Sequence, residues 1–196
     1  MPGLVPGIHV FVAARKTWMA GTSPAMTWVG TQSKMTEKFD ITLTINGQDY
    51  PIRVEARKTL VDAIREDCGQ TGTHIGCEHG VCGTCTVIVN DEAVRSCLMF
   101  AVQAQGKKIR TVEGLADGDK LSVLQQAFID NHGLQCGYCT PGFLMLATNA
   151  LEKNPQIDDE ELIDVLASNL CRCTGYQNII KAVKAARDKM RALTPA

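Results

Sequence analysis

The chain has 196 residues and a formal net charge of −1, with charged residues at 21% and aromatics at 5%. That length suits one ordinary domain or two small ones, and the near-neutral balance offers no basic footprint for nucleic acid. No apolar run approaches the ~18 residues of a membrane span, and the nine cysteines beside 17 glycines point to a disulfide scaffold or to metal ligation.

Residues 1–36 differ from everything that follows. They hold both tryptophans, three of the seven prolines, four of the seven methionines and no acidic residue. Arg15-Lys16 follows the best apolar run, Val10 to Ala14, instead of preceding it. A secretory signal has the opposite order. The segment reads as a disordered or spurious N-terminal tail, similar to repeat-derived sequence that gene prediction prepends to reading frames in some bacterial genomes. On that reading translation starts at Met35. An organelle transit peptide is the alternative: it fits the missing acids but not the Pro/Gly content. The expected location is cytoplasmic.

From Phe39 the pattern is that of folded protein. FDITLTI alternates with period two, placing Phe39, Ile41, Leu43 and Ile45 on one face. Asn46-Gly47 is a strong hairpin signal, since both turn residues tolerate positive φ. QDYPIRV returns with Tyr50, Ile52 and Val54 on one face, and Pro51, lacking an N–H, marks an edge strand. Thr59 caps a helix predicted from Leu60 to about Asp67, with Asp62 placed for the positive helix end. A cysteine-rich loop follows, then a strand Thr84 to Val89, a turn at Asn90-Asp91, a short strand near Val94 and another over Lys108 to Val112. Hairpin, crossing helix and further strands is the order of a β-grasp sheet.

After about Gly118 the period becomes 3.6. Lys120 to His132 is predicted helical, with Leu121, Leu124 and Phe128 on one stripe and Gly133 as its stop. Thr140-Pro141 caps a second helix, with proline at the first helical position, running to about Lys153 before Asn154-Pro155. Asp158 caps a third, to about Ser168. Tyr176 to about Leu193 is a fourth, with Ile179, Ile180, Val183 and Ala186 along one side. Short helices like these bury their faces against one another, so a small bundle is expected.

The cysteines fall into two sets of four. Cys77, Cys82 after four residues, Cys85 after two and Cys97 after eleven have the plant-type spacing of a [2Fe-2S] cluster. Three ligands from one loop must wrap a compact cluster while backbone N–H groups reach its sulfurs. Gly76, Gly80 and Gly83 supply the tight bends. Structural zinc more often uses two short hooks. The second set is Cys136 and Cys139, two residues apart, then Cys171 and Cys173 with one residue between them. Both pairs fall at helix junctions, where free N–H groups suit an anionic thiolate cluster. On chemistry alone, zinc fits this second set as well. Cys68 is left over and reads as a small buried hydrophobe. His74 and His79 are not expected to be ligands, since four thiols are already present. Arg172 either offsets thiolate charge or faces solvent.

GCEHGVCGTC with the later SC, then LQCGYCTPG and NLCRCTGY, with TVEGLA (Thr111 to Ala116) between them, resembles the iron–sulfur subunit of the molybdenum hydroxylases, the xanthine oxidase and carbon monoxide dehydrogenase family. The likeness covers about Phe39 to Arg191. It implies an α+β architecture. An N-terminal plant-type ferredoxin-like β-grasp domain (37–114) is followed by a C-terminal four-helix [2Fe-2S]-binding domain (115–193). It implies two [2Fe-2S] clusters, the first on Cys77, Cys82, Cys85 and Cys97, and the second on Cys136, Cys139, Cys171 and Cys173. It further implies a large molybdopterin subunit and a medium FAD subunit as partners in a hetero-oligomer, with a dimer of heterotrimers as one form. In the family the helical-domain cluster lies next to the molybdopterin and the plant-type cluster toward the flavin. Gln135 matches a glutamine that touches the pterin cofactor, and Cys173 a cysteine that approaches its amino group.

The folded region has no G-x-G-x-x-G fingerprint and no substrate-pocket motif, so the chain is expected to carry electrons within an oxidoreductase, not to hydroxylate. The implied reaction of the whole complex takes oxygen from water and sends electrons singly through both clusters to FAD. A free-standing ferredoxin-like carrier would be strongly acidic, unlike this chain. A zinc-stapled interaction protein would be colourless.

Overall fold

The computed structural model describes residues 37–193; the tail reading and the start at Met35 concern residues outside that range. Alternating side chains make the expected hairpin, β1 (Lys38–Ile45) paired antiparallel with β2 (Gln48–Glu55), with Ile41 opposite Ile52 and Leu43 opposite Tyr50. Asn46 and Gly47 adopt φ of 52° and 83° at its turn. Ile41, Leu43 and Ile45 are buried. Phe39, expected on the same face, is 42% exposed, because it sits near the free end of the hairpin, beyond the reach of the layer that covers the sheet.

Thr59 accepts from the backbone N–H of Asp62 and starts α1 (Leu60–Asp62), which continues as a π-helical turn (Ala63–Asp67). The wider turn shows in the bond from Cys68 N to Ala63 O, 3.0 Å. β3 (Thr86–Val89) pairs with β4 (Glu92–Arg95), and β5 (Lys108–Arg110) slots between β3 and β1, antiparallel to the first and parallel to the second. The mixed sheet therefore runs β2-β1-β5-β3-β4, leaving Pro51 on an edge strand. Leu60, Ala63 and Ile64 pack on Ile41, Leu43, Ile45, Val87, Val89 and Ile109 to form one core.

A second core joins α2 (Val123–Asp130), α3 (Thr140–Lys153), α4 (Asp159–Ala167) and α5 (Gln177–Leu193) through Leu124, Phe128, Phe143, Leu162, Ile179 and Val183. Helix α2 starts later than predicted. Ser122 accepts from Gln125 N while the Gln125 side chain accepts from Ser122 N, a reciprocal cap. Leu121 is thereby left outside the helix, 40% exposed. At the other end His132 takes the left-handed conformation, φ 52°, and Gly133 N closes on Phe128 O at 2.8 Å. In α3 the N-cap is Cys139, with Thr140 as the first helical residue. Asp158 caps α4 as expected.

Candidate metal centres

The first site is built on the loop between the π turn and β3. Glu78, Gly80 and Gly83 hold positive φ (58°, 83° and 71°) and fold the loop back on itself, so that the backbone N–H of Cys82 donates to Cys77 Sγ at 3.3 Å. That bond, aided by the His79 and Val81 amides, lowers the Cys77 thiol to about 6. Cys97 arrives from the far side of β4, on the turn Ser96–Leu98. The Ser96 side chain and backbone N–H both donate to Cys85 O, at 2.6 and 3.3 Å, pinning Cys97 beside Cys85. Cys85 and Cys97 are buried with Val61 and Ile75 against them. Burial pushes the Cys97 thiol up to about 12.

The second site joins two helix junctions. Cys136 and Cys139 lead into α3, and Cys171 and Cys173 lie between α4 and α5. Cys136 and Cys173 are exposed, with Sγ atoms 3.4 Å apart. Cys139 and Cys171 pair on the inner side. Burial pushes Cys139 up to about 12. Burial acts on Cys171 in the same sense, but the Thr174 hydroxyl at 3.1 Å and the Thr174 N–H at 3.5 Å outweigh it and leave this thiol lowered. Tyr176, at φ 69°, turns its hydroxyl back to accept from Cys171 N at 3.2 Å.

Both sets therefore gather their thiols in twos: Cys77 with Cys82, Cys85 with Cys97, Cys136 with Cys173, Cys139 with Cys171. Among the described residues no three ligand-type side chains converge on one point. Two thiolates per iron, four per site, is the donor set of a binuclear iron–sulfur cluster, whose irons are bridged by sulfide. The loop also leaves the necessary room: a Cβ at Gly76 would lie 3.0 Å from Cys82 Sγ. The residues fit the group.

The two sites are stitched together. Leu170, next to Cys171, donates its N–H to Cys82 O at 2.9 Å. Tyr138, inside the Cys136–Cys139 hook, donates its hydroxyl to Ile75 O, and its ring stacks on His74 with centroids 4.8 Å apart. His74 Nδ1 lies 2.8 Å from Tyr138 O, so it carries the proton and donates. Arg95 reaches across to Ser168 O at 2.9 Å. Asn169, 1% exposed, lies against Gly83. Tyr138, Asn169 and Leu170 lie within the motifs LQCGYCTPG and NLCRCTGY, whereas His74, Arg95 and Ser168 carry no motif signal. Gln135 and Arg172 are exposed at the same surface as Cys136 and Cys173. Cys68 is buried in the sheet core, outside both sets.

Comparison with known proteins agrees with this geometry. Residues 43–116 match the 2Fe-2S iron-sulfur cluster binding domain family, and residues 111–184 match the [2Fe-2S] binding domain family. The chain is 55% identical over 148 residues to the caffeine dehydrogenase subunit gamma of Pseudomonas sp. (strain CBB1), covering 74% of this chain and 89% of that relative. It is 54% identical to the nicotine 6-hydroxylase small subunit of Paenarthrobacter nicotinovorans, over 75% of this chain and 88% of the relative. A chain in the crystal structure of quinoline 2-oxidoreductase from Pseudomonas putida 86 superposes with a TM-score of 0.76 at 48% identity, covering 80% of this chain and 98% of that one. This chain belongs to the family of small iron–sulfur subunits of the molybdenum hydroxylases, the electron-transfer components of multi-subunit oxidoreductases that carry two [2Fe-2S] clusters.

Proposed function

We propose that this chain relays electrons from a large molybdopterin subunit to a medium FAD subunit while the complex hydroxylates an N-heterocyclic substrate. The observation that carries the direction is the unequal exposure of the two sites. Cys136 and Cys173 are exposed among Leu134, Tyr138 and Leu170, which are 40–50% exposed, whereas Cys85 and Cys97 are buried. An open thiolate pair in apolar surroundings suits close docking of a partner's cofactor. On the family resemblance that cofactor is the pterin, touched by Gln135 and Cys173.

Cys136, Cys139, Cys171 and Cys173 hold the receiving cluster, and Cys77, Cys82, Cys85 and Cys97 the delivering one. Each cluster, when bound, takes up and passes on one electron at a time. The protein's part is to fix their separation. Only the Leu170 N–H to Cys82 O bond interrupts a covalent path between the ligand Cys171 and the ligand Cys82. Amides aimed at Cys77 and Cys171 Sγ stabilise the more negative, reduced state. The division into a β-grasp unit at 37–114 and a four-helix unit at 115–193 belongs to the same reading, supported by the two separate cores. So does a cytoplasmic location, since thiolate ligands persist where thiols are kept reduced.

The substrate class rests on the relatives, whose names specify caffeine, nicotine and quinoline. Hydroxylation with water replaces C–H by C–OH and releases two electrons and two protons, which the relay must remove singly. The test is the assembled complex mixed with N-heterocycles, aldehydes or carbon monoxide in oxygen-labelled water, with flavin reduction followed by rapid mixing. Labelled product from an N-heterocycle is expected, and turnover confined to aldehydes or carbon monoxide would refute the substrate class. Cys173→Ser should stop flavin reduction while leaving the plant-type cluster in place. Flavin reduction at the wild-type rate in that variant would overturn the relay.

A further inference from the structure

We propose that Arg95 is the fixed counter-charge of the cluster pair, a positioning residue whose guanidinium raises the reduction potential of the plant-type cluster and, to a smaller extent, that of the helical cluster. Arg95 ends β4, two residues before Cys97, and is half-buried. Its Nη1 donates to Thr86 Oγ1, and Thr86, itself 1% exposed, donates that hydroxyl to Gly83 O at 2.6 Å. Its Nη2 donates to Ser168 O at 2.9 Å and Ser168 Oγ at 3.2 Å. A Cβ placed on Gly83 would be 3.0 Å from Arg95 Cζ, so the charge lies directly against the backbone between Cys82 and Cys85.

Every acceptor of this guanidinium is a neutral oxygen. Among the described residues no carboxylate comes within ion-pair distance of it. A cation partly withdrawn from water and lined only by neutral oxygens is favoured by a nearby anion. The α4 C-terminus, with Ser168 as its C-cap, gives only a partial negative charge. The missing charge is supplied by the sites on either side. Four thiolates and two sulfides around two irons are net negative, and one unit more negative after reduction. A cation fixed beside such a group favours its reduced form, and cluster charge and hydrogen bonding are what set these potentials. The plant-type loop is in direct contact with Arg95, whereas Ser168 is three residues from Cys171, so the first cluster should respond more.

This inference rests on the two-cluster reading, and the experiment separates the two. The assembled complex is titrated with redox mediators, both cluster signals are followed by electron paramagnetic resonance, and iron and sulfide are counted on the same samples. Arg95→Gln keeps a polar side chain and removes the charge. At a fixed potential its plant-type cluster should show a reduced-to-oxidised ratio about tenfold lower than wild type, a midpoint about 59 mV more negative. Arg95→Lys, which keeps the charge, should stay within about threefold of wild type. Equal shifts in both variants, or an unmoved midpoint in Arg95→Gln with clusters intact, would overturn the proposal. If Arg95→Gln fails to assemble, Ser168 decides. Ser168→Asp sets a carboxylate against Nη2 and should lower the midpoint, while Ser168→Asn should not, and identical midpoints for that pair would refute the counter-charge role. A wild-type complex with less than about four iron per small subunit would instead sink the two-cluster reading.

Discussion

Gly83 is the point where the two units interlock, and Gly83→Ala tests that directly. Two effects add. Its φ of +71° is left-handed, a conformation that costs an ordinary residue about 1–2 kcal/mol. The new Cβ would also lie 1.8 Å from Asn169 Oδ1 and 2.4 Å from Asn169 Cγ, and forced overpacking of a close-packed region costs about 1–3 kcal/mol. Asn169 has little room to retreat. It is 1% exposed, and its neighbours are tied down by the Leu170 to Cys82 bond and the Arg95 to Ser168 bonds. The sum is about 2–5 kcal/mol. Gly47→Ala is the control, since Gly47 has φ +83° but nothing within 4 Å of its Cβ position; only the backbone cost of about 1–2 kcal/mol applies there. Anaerobic denaturant titrations of the iron-loaded chain, followed by circular dichroism, compare the two. Adding Asn169→Ala to Gly83→Ala should recover part of the loss by removing the clash. If Gly83→Ala matches Gly47→Ala within about 0.5 kcal/mol, a difference typical of unperturbed surface sites, the interlock described here does not exist.

Other outcomes follow from single residues. Cys68→Ser should leave iron content unchanged and cost about 1–2 kcal/mol, because Cys68 is buried in the sheet core with its thiol pushed up to about 11 by burial; iron loss would put Cys68 among the ligands. In the iron-free chain Cys77 should be the first thiol alkylated, with a rate that rises with pH and is half-maximal near 6, since thiolate is the nucleophile. Because its folded value is below the ordinary thiol range, the stability it lends the iron-free fold is complete above that range and lost as pH falls through about 6. Cys97 and Cys139, both pushed up to about 12 by burial, should stay unreactive at neutral pH, and a Cys77 half-maximum at 8.5 or above would contradict the amide cradle. Ser122→Ala should destabilise the chain by about 1 kcal/mol through loss of the α2 cap, measured as a shift of the denaturation midpoint at unchanged slope.

What the amino-acid order determined here is what is decided within a few residues. The hairpin at Asn46-Gly47, the caps at Thr59 and Asp158, and the plant-type spacing of the first cysteine set follow from local turn preferences, caps and the reach of a loop around a small cluster, whereas the cluster chemistry of the second set came from the family resemblance. Even locally, competition hid some answers: Ser122 with Gln125 outcompeted the apolar stripe through Leu121, and end effects exposed Phe39. Only the tertiary structure placed β5 parallel beside β1, set Leu170 on Cys82 and Arg95 on Ser168, and closed Tyr138 over Ile75. Those partners, the paired strands β1 and β5 included, lie some 60 to 90 residues apart in sequence. No periodicity or spacing marks them, because each depends on how two already folded surfaces meet, and that meeting sets the separation of the two centres.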